Sequence, residues 1–105
     1  MIIKFYTMNY QEIINSSEVV MVEFFASWCP HCQRMMPVVA QIKELLQGQV
    51  NIYQFDIDEY TELAQANGAD SVPTFIIYKN GEEQWRESGE IEGQVLLSKI
   101  ESYLK

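Results

Sequence analysis

The sequence predicts a single α/β domain, residues 1–105, whose elements follow in the order βαβαβαββα. A chain of 105 residues with 48% apolar content is long enough for one packed core but too short for two. Val19–Phe25 is an almost unbroken run of β-branched and aromatic residues, which is typical of a central strand buried on both faces. Directly after it, residues 30–47 place apolar side chains at helical spacing.

The elements around this strand–helix unit are predicted from shorter local patterns. Residues 2–6 are expected to form a short strand, and residues 9–15 a brief helix. The long helix ends at Gly48, which is a natural helix stop. Residues 50–57 alternate enough between apolar and polar side chains to predict the next strand.

The second half of the chain predicts a helix, a β-hairpin and a terminal helix. The helix is expected at residues 59–67. Strands at residues 74–78 and 83–88 are joined by residues 79–82, Lys-Asn-Gly-Glu, which contain the Asn-Gly signal of a hairpin turn. Residues 92–104 carry apolar side chains on or near one face, as an amphipathic helix does.

Charge and composition narrow the range of partners and compartments. Fifteen acidic and seven basic side chains give a formal net charge of -8, so nucleic acid and anionic membranes are poor partners. No apolar run approaches the roughly 20 residues that span a bilayer, and the first residues lack the features of a signal peptide. We therefore expect a cytoplasmic protein, unless a signal peptide has been removed. Two cysteines in tandem also suit a reducing compartment.

The chemistry of the chain is concentrated in residues 28–32, Trp-Cys-Pro-His-Cys, which contain both of its cysteines. Cys29 is expected at the N-terminus of the long helix, where unpaired N–H groups and a partial positive charge favour a thiolate. Pro30 suits the first helical turn. Cys32 lies on the same turn and can reach the sulfur of Cys29 to close a small disulfide. The pattern indicates a dithiol redox centre.

With these features the chain resembles the thioredoxin family over essentially its whole length. The match consists of residues 22–32, Pro37, residues 71–75, residues 79–82 and Gly89, in the order and spacing of the family. The resemblance implies a thioredoxin fold, with a central mixed β-sheet flanked by helices. It also implies reduction of protein disulfides by dithiol–disulfide exchange, without a bound cofactor. A separate flavin- and NADPH-dependent electron donor, similar to thioredoxin reductase, is implied as a partner, and we expect a monomer.

The resemblance assigns roles to three residues of the predicted site. Cys29 is expected to attack a substrate disulfide, Cys32 to resolve the mixed disulfide, and the two to form a disulfide in the oxidised protein. Glu23 is the only charged residue of the central strand, and burial is expected to raise the pKa of its carboxyl. In the family this acid lies behind the resolving cysteine and can take a proton from it. The alternative for Glu23 is a side chain that curls to the surface and is paired there.

His31 and Gln54 depart from the commonest family pattern. Pro30-His31 stands where reducing thioredoxins usually carry Gly-Pro. It resembles the dipeptide of the periplasmic disulfide oxidases, whose large helical insertion is absent from this short chain. An imidazole beside the Cys29 sulfur is expected to stabilise the thiolate and make the disulfide more oxidising. The alternative is an exposed histidine with no special role. Gln54 stands where many thioredoxins place a lysine that interacts with the buried acid.

A substrate groove is expected beside the dithiol. The resemblance implies a cis peptide bond between Val72 and Pro73, which turns the Val72 backbone toward the dithiol and offers its N–H and C=O to an extended substrate segment. Trp28, Pro30 and Gly89 are expected to border the same groove. For Trp28 the alternative is core packing.

Two other functions stay open beside a protein disulfide reductase. Pro30-His31 favours a disulfide oxidase or isomerase. The second possibility is a non-catalytic binding module or a metal site shared by two chains. Structural zinc takes four ligands, whereas this chain has two cysteines and one histidine, so we expect no metal.

Overall fold

The computed structural model describes residues 8–104. Its helices are α1 (Tyr10–Ile14), α2 (Pro30–Leu45), α3 (Thr61–Ala66) and α4 (Gly93–Glu101). Its strands are β1 (Val19–Phe25), β2 (Asn51–Asp56), β3 (Thr74–Lys79) and β4 (Glu82–Ser88). The strand expected at residues 2–6 lies outside the described residues, and every other expected element is present.

The four described strands form one mixed sheet in the order β2-β1-β3-β4. β1 is parallel to β2 and antiparallel to β3, and β3 is antiparallel to β4. Because β1 has a neighbour on each side, its backbone is paired on both edges, and every residue of the strand except Phe25 is buried. The expected mixed sheet flanked by helices is confirmed.

Local sequence explains why α1 begins and β3 turns where they do. The side chain of Asn9 accepts the backbone N–H of Glu12, and the Glu12 carboxylate accepts the backbone N–H of Asn9. This reciprocal capping box satisfies two N–H groups that a helix start leaves without partners. Between β3 and β4, Asn80 and Gly81 have φ of 52° and 80°. A two-residue hairpin turn of type I′ requires positive φ at both positions.

All four described helices are shorter than the sequence predicts, and the ends of α2, α3 and α4 turn into tighter hydrogen bonds. After α2 and α4, the N–H groups of Gln47 and Tyr103 bond to carbonyl groups three residues back. Before α3, the N–H groups of Glu59 and Tyr60 both bond to the carbonyl of Asp56 and form a turn. None of the helices within residues 8–104 is long and apolar enough to cross a membrane.

The sheet carries a packed core on each face, and side chains that alternate along β1 divide between the two. The core toward α2 and α4 contains Val19, Met21, Met35, Val39, Ile42, Phe75, Ile77, Leu96 and Ile100. The core toward α1 and α3 contains Ile13, Ile14, Val20, Val22, Phe24, Phe55, Ala64 and Ile76. By the same alternation Glu23 lies on the α2 side of β1, which is the side of the helix that carries Cys32.

Candidate active site

The two cysteines lie where β1 passes into α2. Cys29 is the N-cap residue of α2 and has an extended backbone, and Pro30 is the first helical residue. Proline is favoured there, since the N–H that it lacks has no partner in a helix start. Both thiols are free and nearly buried, with 6% of Cys29 and 1% of Cys32 exposed. The sequence prediction of a dithiol at this helix start is confirmed, and the structure describes its reduced form.

Cys29 lies in surroundings that stabilise a thiolate. The backbone N–H of Cys32 is the main cause that lowers the pKa of Cys29, and the Cys32 thiol, the His31 N–H and the charge of Arg34 also lower it. These groups outweigh the opposing effect of burial. The Cys29 sulfur also lies 3.8 Å from the carbonyl oxygen of Val72. When Cys29 is protonated, its thiol donates to this oxygen. Cys29 is therefore the thiol that ionises first.

Cys32 is tuned in the opposite direction. Burial raises the pKa of the Cys32 thiol to about 11, and the neighbouring Cys29 and Glu23 contribute in the same direction. The backbone N–H of Ala26 donates to the Cys32 sulfur at 3.4 Å and offsets part of this rise. Cys32 therefore stays protonated at neutral pH until a base takes its proton.

Glu23 supplies a candidate base whose charge acts on Cys32. Only 2% of the residue is exposed, and burial raises the pKa of its carboxyl from 4.5 to about 7. The Gln54 side-chain amide donates to Glu23 Oε1 at 3.0 Å and lowers the pKa, but as a neutral donor it does not reverse the effect of burial. The expected burial and raised pKa are confirmed, and the surface-paired alternative is excluded. The role in proton transfer stays a prediction.

The expected cis bond between Val72 and Pro73 is present. The Gly89 N–H donates to the carbonyl of Pro73 at 2.8 Å, and Gly89 has φ of +98°, a conformation that side-chain-bearing residues rarely adopt. The Thr74 hydroxyl donates to the carbonyl of Ser71 at 2.6 Å. These bonds hold the loop before β3 next to Cys29, so three predicted groove residues, Val72, Pro73 and Gly89, meet beside the dithiol.

Trp28 is a surface residue, and the core-packing alternative is excluded because 63% of it is exposed. Its indole N–H donates to the Asp58 carboxylate at 2.9 Å. The hydrogen bond anchors the exposed ring, and Trp28 and the exposed Pro30 flank Cys29 in the sequence. Both residues are placed to border a groove, and their contact with substrate stays a prediction.

The imidazole of His31 does not contact the Cys29 sulfur through any hydrogen bond of the described residues. Its Nδ1 lies 2.7 Å from Glu90 Oε2, and Arg34 Nε donates to that same oxygen at 2.8 Å. Arg34 first, and then His31, lowers the pKa of Glu90 to about 2. From His31, the backbone N–H but not the imidazole is among the groups that lower the pKa of Cys29. Tuning of the thiolate by the imidazole stays a prediction.

Sequence reasoning missed Arg34, Glu90 and Asp58 as members of the site. Arg34 follows His31 by three positions on a helix, which places both on one face, so a signal for it was present. Glu90 and Asp58 approach from loops far along the chain, and no motif marks either of them. Among residues 8–104, no three His, Cys, Asp or Glu side chains converge as a metal site does.

Comparisons with known proteins agree with this architecture. The family model described as Thioredoxin matches residues 1–104. The chain is 35% identical over 98 residues to the chloroplastic thioredoxin Y of Oryza sativa subsp. japonica, covering 92% of this chain and 58% of the relative. It thus spans little more than half the length of that relative. It is 34% identical over 74 residues to a thioredoxin of Rickettsia bellii, covering 70% of each. A mutant thioredoxin from Halobacterium salinarum has a TM-score of 0.82 and 33% identity, covering 90% of this chain and 82% of that one.

Proposed function

This chain belongs to the thioredoxin family, and from that membership we propose that it reduces disulfide bonds of proteins by dithiol–disulfide exchange. The observation that carries the proposal is the opposite tuning of two thiols on one helical turn. The pKa of Cys29 is lowered, whereas the pKa of Cys32 is raised to about 11. Cys29 is thus the thiol that attacks as a thiolate, and Cys32 stays protonated until the second step.

The proposed reaction has two steps, and each exchanges one sulfur–sulfur bond for another. The Cys29 thiolate attacks one sulfur of the substrate disulfide, the substrate bond breaks, and the departing substrate thiolate takes a proton. Glu23 then accepts the proton of Cys32, whose sulfur attacks Cys29. The second substrate sulfur leaves as a thiolate and takes up a proton. Two electrons pass from the Cys29–Cys32 pair to the substrate, and the pair ends as a disulfide. A flavin- and NADPH-dependent reductase is the proposed electron donor that restores the dithiol.

The backbone beside Cys29 supports an extended polypeptide as the substrate. The Val72 carbonyl lies 3.8 Å from the Cys29 sulfur, at the cis bond that turns this backbone toward the dithiol. A substrate segment can add to such a backbone as an extra strand, so main-chain bonds provide affinity with little dependence on sequence. The exposed Trp28 ring supplies an apolar surface for contact with the same substrate segment.

Reduction is the proposed direction, although Pro30-His31 favours an oxidase or isomerase. Between α2 and β3 the chain forms only β2 and α3, so the inserted helical domain of the periplasmic oxidases has no counterpart there. The cationic Arg34 and the His31 ring are both bound to the Glu90 carboxylate, which limits their effect on Cys29. A reducing compartment, with the cytoplasm as the proposed one, keeps the pair available as a dithiol. We propose that the protein works there as a monomer.

The reduction potential of the Cys29–Cys32 couple tests the direction. We expect equilibration with a glutathione buffer to place it closer to the about -270 mV of reducing thioredoxins than to the about -180 mV of protein disulfide isomerase. The reduced protein is also expected to cleave the disulfides of insulin when dithiothreitol regenerates it. A potential at or above about -180 mV contradicts the reductive function and favours the oxidase or isomerase.

A further inference from the structure

The Glu90 carboxylate binds both basic side chains of the first turns of α2, which are His31 and Arg34. Glu90 Oε2 lies 2.7 Å from His31 Nδ1 and 2.8 Å from Arg34 Nε. The three side chains form the Glu90 cluster and are 38% to 59% exposed. Glu90 directly follows Gly89, whose N–H binds the Pro73 carbonyl. The cluster therefore joins the start of the cysteine helix to the segment that anchors the cis-proline loop.

The contacts fix the position of a hydrogen on the imidazole ring. Arg34 is a donor only, and an ionised carboxylate is an acceptor only. At 2.7 Å from Glu90 Oε2, His31 Nδ1 must carry the hydrogen and donate it. The Arg34 Nη2 atom, 3.0 Å from the same ring nitrogen, then finds its acceptor in Glu90 as well. Glu90 is thus the shared acceptor of both basic side chains.

The position of this carboxylate has an electrostatic consequence for Cys29. Arg34 and Cys29 interact attractively, and each raises the stability of the charged form of the other. The negative charge of Glu90, held against Arg34, opposes the positive field that Arg34 produces at the sulfur. Any field that stabilises the thiolate stabilises the reduced protein and makes the disulfide more oxidising.

We propose that Glu90 is a positioning residue whose carboxylate binds His31 and Arg34 as a counter-charge and thereby keeps the Cys29–Cys32 couple reducing. The proposal rests on the proposed reductive function and gives a reason for it: a Pro-His dipeptide is compatible with a reducing site when a carboxylate neutralises its basic neighbours. Without that carboxylate the same scaffold shifts toward an oxidase.

The test is Glu90→Gln, which removes the charge and preserves the size of the side chain. In a glutathione redox buffer of low ionic strength, the equilibrium is expected to shift three- to tenfold toward the reduced protein, about 15 to 30 mV. Titration of the thiolate by its ultraviolet absorbance is expected to show a lower pKa for Cys29. Added salt is expected to reduce the difference, because the cluster is exposed.

Glu92→Gln is the matched control, since Glu92 is exposed, lies two residues further on and makes no capping hydrogen bond with its side chain. It makes the same change of net charge and is expected to leave the potential and the Cys29 titration unchanged. In an Arg34→Gln/His31→Ala background, Glu90→Gln is expected to have a smaller effect, because the exposed carboxylate is no longer held at the start of α2. An equal shift in the Glu92→Gln control assigns the effect to net charge and overturns the proposal.

The imidazole provides a separate readout, because His31 is the only histidine of the chain. Its nitrogen chemical shifts are expected to show the hydrogen on Nδ1 in the wild type, and a redistribution toward Nε2 in Glu90→Gln. A potential that stays level or falls in Glu90→Gln refutes the proposal even if the wild type is reducing. A wild-type potential in the oxidase range refutes the proposed function instead, so the two failures are distinguishable.

Discussion

Cys32→Ser is expected to accumulate covalent mixed disulfides with protein substrates, whereas Cys29→Ser forms none and loses disulfide reduction entirely. The reason is the division of labour between the thiols. Cys29 keeps the stabilising N–H groups of the helix start and attacks, but without Cys32 no sulfur is present to release the substrate. Gel analysis without reductant, after incubation with a disulfide-containing protein, measures the trapped species directly.

A double variant, with both cysteines replaced by serine, is the control for non-covalent association. It is expected to give the background of Cys29→Ser. Because both cysteines are nearly buried and serine is close in size, thermal unfolding of the three variants checks that the fold is retained. Equal trapping by the two single variants contradicts the assignment of Cys29 as the nucleophile.

The fold was predictable where one physical cause dominates. Val19–Phe25 was predicted with its observed bounds, because a continuous run of β-branched and aromatic residues is typical of a strand buried on both faces. The start of α2 was equally clear, since Pro30 suits a first helical position. The end of α4 was not, because Tyr103 pairs through a tight turn that leaves no mark on the apolar pattern. The apolar pattern therefore predicts the bounds of a buried strand well and the end of a helix poorly.

The candidate site divides along the same line. The cysteines, Glu23 and the residues of the cis-proline loop were predictable, since their types and order along the chain carry the chemistry. The pairs Trp28–Asp58 and Arg34–Glu90 were not, because they join residues 30 and 56 positions apart. With fifteen acidic side chains on the chain, composition does not identify which carboxylate meets which base. That choice depends on loop geometry, which the topology of the sheet determines.

Glu23→Gln is expected to have the second large effect, and one part of it is a change in the free energy of unfolding. Burial raises the pKa of Glu23 from 4.5 to about 7, so the folded protein keeps a proton that the unfolded chain has lost between these values. The free energy of unfolding of the wild type therefore falls as pH rises through this window. Below about pH 4 there is no loss, and above the window the loss is about 3 kcal/mol. Glutamine does not ionise, so the variant is expected to gain stability over the wild type as pH rises.

Urea unfolding of the reduced proteins at about pH 4 and about pH 8 measures this difference. Glu87→Gln is the matched control, because Glu87 lies exposed on β4, and it is expected to change little between the two pH values. Gln54→Lys is a second variant with an independent expectation. An ammonium opposite Glu23 favours the ionised carboxylate, so the pKa of Glu23 falls and the pH dependence of stability weakens.

The same substitution separates proton transfer from attack. Glu23→Gln is expected to form mixed disulfides through Cys29 at the wild-type rate, because Glu23 is not among the groups that set the pKa of that thiol. Resolution by Cys32 is expected to slow by roughly 10²-fold near neutral pH, which is the usual contribution of a positioned base. As pH approaches the Cys32 pKa of about 11, the thiol ionises unaided and the gap closes. Stopped-flow measurement of the resolving step tests this role. A wild-type rate across the neutral range means that Glu23 lowers the stability of the protein without assisting proton transfer.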